Sequence, residues 1–151
     1  MPDSRVVPIA AALIVLAGCS HKPADNSIVE NEKKFEEMMS GATLVGHSTR
    51  SNKEGISAEE RYVIDKASKL TGDTWVIHAR IKYGSHDLPV PVPVTMKWAG
   101  DTPVITLTDL TIPGLGTYTA RVLLYRGQYA GTWSAKDHGG EMFGRIEHPH
   151  N

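Results

Sequence analysis

Cysteine is almost missing from this chain of 151 residues, which carries one, Cys19. A lone cysteine cannot close an intramolecular disulfide or build a cage of thiolate ligands, so stability has to come from packing. An excess of charge of either sign is missing too. Sixteen basic residues face seventeen acidic ones, for a formal net charge of -1, and without a basic face to neutralise phosphates no nucleic-acid partner is expected. The apolar run from Val6 to Ala17 is about twelve residues long, well short of the roughly 20 that cross a bilayer as a helix. Repeats and low-complexity tracts are absent, as are a G-x-S-x-G elbow and an H-E-x-x-H pair. Glu59 and Glu60 stand beside Arg61 and read as solvated charge rather than as a glycosidase pair. The expectation is a noncatalytic protein with no cofactor.

What is present begins with a leader. A short head carrying Arg5 precedes the apolar run, the pattern of a processing segment rather than of a folded element. The run ends in "LAGC", Leu16 to Cys19, which resembles the lipobox of bacterial lipoproteins. That resemblance implies removal of residues 1–18 as a signal peptide, a diacylglyceryl group on the Cys19 thiol, and a chain anchored outside the cytoplasm at the cell membrane or outer membrane. Ser20 stands where an aspartate would retain a lipoprotein at the inner membrane, which by the same resemblance favours the outer one. Two or more acyl chains hold stably where one holds marginally. With Cys19 lipidated, no thiol remains for catalysis. The next residues, "SHKPADNS", are polar, and residues 19–27 read as a lipidated tether to a single domain over 28–148.

The domain opens on a helix. "SIVE" places Glu30 three residues after Ser27 in a capping-box pattern, Ile28, Phe35 and Met39 form an apolar stripe, and Gly41 supplies the stop. The stripe is expected to cover one opening or flank of a sheet.

From Thr43 onward the period changes to two. In "TWVIHARIKY", Trp75, Ile77, Ala79, Ile81 and Tyr83 share one face, while His78, Arg80 and Lys82 share the other. Similar segments at 43–49, 61–70, 88–98, 103–109, 117–126, 128–134 and 141–147 bring the expected strands to eight. The turns between them, such as "TGD" and "RGQ", are short enough to pair neighbours antiparallel. The expected fold is mainly β: an eight-stranded antiparallel up-and-down meander forming a small barrel, with one N-terminal helix. In "LPVPVPVTMKW", Pro89, Pro91 and Pro93 all remove an amide donor from the same lateral side of one strand. A seam or free edge is therefore expected near 89–93, leaving the barrel incompletely closed, with a polyproline-like segment as the alternative. "GTW" at 131–133 resembles the glycine-x-tryptophan motif of the calycins, lipocalins and avidins among them, and "KWAGDTPVITLTDLTIPGLGTYTARV" is similar to uncharacterised small secreted bacterial proteins.

In a meander the connections alternate between ends. The long loops near 50–60, 84–87, 110–116 and 135–140 gather at one end as a mouth, and the short turns near 71–73, 99–102 and 127 gather at the other. This placement brings His47, His86 and His138 to the mouth together with Asp87, Asp137 and Glu141. His47, His86, His138 and Glu141 are the candidate ligands of a zinc or copper ion. The competing reading makes "KDHGG" a polar turn whose glycines supply positive φ. His78 belongs to a solvated strand face, and His148 and His150 to the tail. Trp75, Tyr83, Val92, Met96, Trp98 and Leu107 fall on inward faces, where they would either line a ligand cavity or fill a packed core.

The functional expectation is a lipid-anchored, noncatalytic binding module of the cell envelope, for a small apolar ligand or an envelope protein partner. One alternative is an assembly protein docking through an edge strand; another is a metal-binding or enzymatic site in the mouth loops.

Overall fold

The computed structural model describes residues 26–83 and 86–149, and of residues 81–83 and 86 the backbone alone. The expected leader, Cys19, the tether up to residue 25 and His150 lie outside the described residues.

Helix α1 runs Asn26–Met39. It starts one residue before the expected capping serine, so Ser27 lies inside its first turn. Pairs at i,i+4, Lys34 with Glu30 at 3.0 Å and Lys33 with Glu37 at 3.8 Å, support its wet face. Phe35 and Met39, one turn apart, are its buried residues. Gly41 then takes a left-handed φ of 76°, which ends the helix.

Nine strands follow: β1 (Thr43–Arg50), β2 (Lys53–Ile56), β3 (Glu60–Thr71), β4 (Thr74–Tyr83), β5 (His86–Ala99), β6 (Thr102–Ile112), β7 (Gly116–Tyr125), β8 (Gln128–Ser134) and β9 (Gly139–Glu147). Eight of them form an antiparallel barrel in meander order, closed where β1 pairs with β9 from Thr43↔Glu147 to Ser48↔Met142. β2 is the extra strand. β3 pairs with β1 only over Thr43–Gly46, and β2 takes over that edge at Thr49↔Ile56 and Arg50↔Lys53. The short turns at 72–73, 100–101 and 126–127 share one end, and the longer connections, 135–138 among them, share the other.

Alternation sorts the side chains as a half-buried sheet requires. Leu44, Ile64, Trp75, Ile77, Val94, Met96, Ile105, Val122 and Leu124 point inward and are buried. Helix α1 closes the short-turn end, with the Phe35 and Trp75 rings meeting edge to face at 5.0 Å and 88°. Ser40 Oγ accepts the Ala67 amide at 3.1 Å, and Lys69 Nζ pairs with Glu32 at 2.6 Å, fixing the helix along β3.

The proline-rich segment is a strand along its whole length, not a polyproline helix, because β5 pairs with β4 without a break from Thr74↔Thr95 to Tyr83↔His86. Its ladder to β6 covers only Thr95↔Thr106 to Ala99↔Thr102. Amide direction explains the difference. Met96 N donates to Asp73 O, on the β4 side, whereas Thr95 O accepts from Thr106 Oγ1, on the β6 side. Odd-numbered residues of β5 thus face β6, and Pro89, Pro91 and Pro93 leave that side short of donors. The barrel is closed around its circumference, with one wall partly unladdered.

Candidate functional site

The mouth is the end opposite α1, and two strand irregularities shape it. Between Leu107 and Leu110 the β6–β7 register slips, and Asp109 takes a φ of 49°, a left-handed conformation that aspartate tolerates better than most residues. Thr119 holds it there: its hydroxyl accepts the Asp109 amide at 2.9 Å and donates to Oδ1 at 3.2 Å. The Arg121 guanidinium donates to the Leu107 carbonyl at 2.7 Å, the Ala120 carbonyl at 2.8 Å and Thr108 Oγ1 at 3.0 Å, satisfying groups that the slipped ladder leaves over. The second irregularity is the β8–β9 loop, closed by Ala135 N donating to His138 O at 2.7 Å.

Between them lies a cleft of about 690 Å³, lined by Asp109, Leu115, Tyr118, Thr119, Lys136 and His138 among others. Aromatic rings back it. Trp133 lies 6.4 Å from Tyr118 and 5.4 Å from His138, the latter edge to face, and Arg50 sits 5.9 Å from the Trp133 ring centre. The buried Trp133 Nε1 finds no acceptor among the described protein atoms. His138 Nδ1 and Asp137 Oδ1 are 2.6 Å apart. The hydrogen bond and charge of His138, with help from Arg50, lower the Asp137 carboxyl below its usual range.

A polar cluster continues from the mouth into the barrel. Glu60 accepts from Tyr62 Oη at 2.6 Å and from Ser48 Oγ at 2.8 Å. Burial first, then the bonded Glu60 carboxylate, hold the Tyr62 phenol far above its ordinary value. Tyr129 is pushed up to about 12, again chiefly by burial and then by Glu60.

The candidate metal ligands reach this end but engage separate partners. His47 Nδ1 lies 3.0 Å from Ser57 O, His138 binds Asp137, and Glu141 accepts from Thr49 Oγ1 while its amide donates to that hydroxyl at 2.9 Å. Among the described residues no group of three or more His, Cys, Asp or Glu side chains converges as metal ligands would; the His86 side chain lies outside them. Gly139 and Gly140 correct the turn reading. Both belong to β9 and neither has a positive φ. They are glycines because a β-carbon would meet Trp133 O at Gly139 and Thr49 O at Gly140. Ser51 N donates to Gly139 O at 2.7 Å, tying the loop after β1 to the start of β9.

The candidate cavity residues divide. Trp75, Val92 and Met96 belong to the packed core, and Leu107 is half-buried against it. Trp98 lines a smaller cleft of about 330 Å³ beside α1, with Lys34, Phe35, Tyr125 and Arg126. The Tyr83 side chain is outside the described residues. Reading the sequence missed Tyr118, Asp109 and the Glu60–Tyr62 pair. Tyr118 carries a signal, since it shares the inward parity of Ala120, Val122 and Leu124 on β7.

No family model, curated protein or solved structure matches this chain. A fold can carry many functions, so what bears on this one is the site's own geometry.

Proposed function

We propose that this chain is a lipid-anchored, noncatalytic binding module of the cell envelope, held through Cys19, whose ligand or protein partner sits at the mouth of the barrel. The observation that carries the reading is the cleft of about 690 Å³ between the β6 bulge and the β8–β9 loop, with the Trp133, Tyr118 and His138 rings clustered beside it. Its lining mixes apolar rings with hydroxyls and charges, which suits an amphipathic molecule or an envelope-protein segment presenting both. Trp75, Val92 and Met96, the residues that would have lined an interior cavity, are packed instead against one another's neighbours and α1. That favours the mouth over the interior. The leader pattern supports the anchor, and the ties from Ser51 to Gly139 and from Thr49 to Glu141 support a preformed rim.

A second reading, strand addition along β5, draws on the unladdered wall beside Pro89, Pro91 and Pro93. A docking strand would meet carbonyls there but few amides, so the mouth is preferred.

The test uses lipidated protein purified from its own envelope. A photo-crosslinker at Lys136 is expected to trap a partner, or solvent extraction to release a bound molecule, and Trp133→Ala to reduce either yield. A bare Lys136 probe together with an empty extract would overturn the reading.

A further inference from the structure

We propose that the α1-capped end of the barrel is a membrane-contacting face, which rests on the bilayer surface and points the mouth away from it. The inference rests on the lipid anchor at Cys19 and adds which face the lipid touches.

Chain geometry supplies the first argument. Residues 19 to 26 reach at most about 25 Å when fully extended, and the described chain begins with α1 at Asn26. The helix is fixed against the short-turn end by Phe35 on Trp75 and Glu32 on Lys69. A strand of ten residues such as β7 runs roughly 33 Å along its own axis, or about 25 Å along a barrel whose strands tilt about 40°. The mouth is thus farther from the anchor by about a whole tether length.

Surface chemistry supplies the second argument. Four of the exposed large apolar side chains sit at the capped end: Ile28 and Val29 on the first turn of α1, Leu70 beside the β3–β4 turn and Tyr125 beside the β7–β8 turn. Leu70 is 63% exposed and Val29 54%. Of the other exposed large apolar residues among those described, Leu123 lies two residues before Tyr125, Phe143 lies mid-wall beside His47, and Ile56 lies at the mouth. Tyrosine, with an apolar ring and a polar tip, suits the depth of lipid headgroups. Charge at the capped end is mostly paired locally, as Lys34 pairs with Glu30, Lys69 with Glu32 and Lys97 with Asp73, while Arg126, over the Tyr125 ring, and Asp101 bring opposite charges to one cleft. The face therefore fits an uncharged bilayer surface, and contact should depend little on the anionic lipid fraction.

The experiment uses the full lipidated chain in phosphatidylethanolamine–phosphatidylglycerol vesicles. Since lipidation occupies the native cysteine, a nitroxide can be placed by Leu70→Cys, Tyr125→Cys, Ile56→Cys or Lys136→Cys, all at exposed positions. Relaxation by nickel chelated to a lipid headgroup is then measured, and the mass at Cys19 is read on the same samples. Labels at 70 and 125 are expected to relax several-fold more than those at 56 and 136, whatever the phosphatidylglycerol content. Equal or reversed relaxation with Cys19 lipidated overturns the orientation and leaves the anchor standing. A bare Cys19 and a chain that washes off the vesicles overturn both.

Discussion

Tyr129 packs over glycine. Gly46 and Gly144 face each other across β1 and β9, and Tyr129 on β8 is registered with Gly144. A β-carbon at Gly46 would meet the Phe143 carbonyl and the Tyr129 hydroxyl, and one at Gly144 would meet Tyr129 Cε1. The missing side chains make room for the ring at the place where the barrel closes. Gly46→Ala is expected to destabilise the fold by about 3 kcal/mol or more, since backbone obstructs the methyl, measured by urea unfolding. Tyr62 is a gentler case. Tyr62→Phe removes the hydroxyl that donates to Glu60, and Ser48 still satisfies the carboxylate in part. A loss of about 2 kcal/mol is expected, the scale of a hydrogen bond to a charged acceptor, with unchanged circular dichroism.

At the scale of the element, α1 acts as a plug. Phe35→Ala would leave Trp75 facing a void at the short-turn end, and a loss of about 3–5 kcal/mol in denaturant unfolding is expected. The prolines of β5 work in the other direction, as protection. Pro91→Val restores an amide facing the unladdered wall, so monomer stability should change by no more than about 1 kcal/mol, while concentration-dependent association appears in light scattering. This seam was legible from the residues because prolines two apart remove donors from one side, whatever the surroundings. β2 was not legible: all four of its residues, Lys53 to Ile56, are exposed, so they carry no alternation. Nor was the cleft, which depends on the register slip at Asp109 and on Thr119 holding it. The eight barrel strands were readable because each turns one face to the core, whereas a bulge leaves no periodic mark.

Taken whole, the molecule shields two phenols, Tyr129 buried and Tyr62 partly buried against the core. Tyr129, pushed up to about 12, and Tyr62, raised further, hold their protons more tightly folded than unfolded. That stabilisation is complete below pH about 10, the unfolded value, and is lost as pH climbs through about 12. Alkaline titration should therefore show two of the five tyrosines ionising only together with loss of the β signal in circular dichroism. Early phenolate absorbance from all five would contradict it.

The pairing of Thr43 with Glu147 also governs the order of assembly. A polypeptide delivered N-terminus first presents β1 long before β9 exists, and the contact between them has among the largest sequence separations the chain can offer. Until the last strand arrives, β1 keeps an open edge that another strand could occupy.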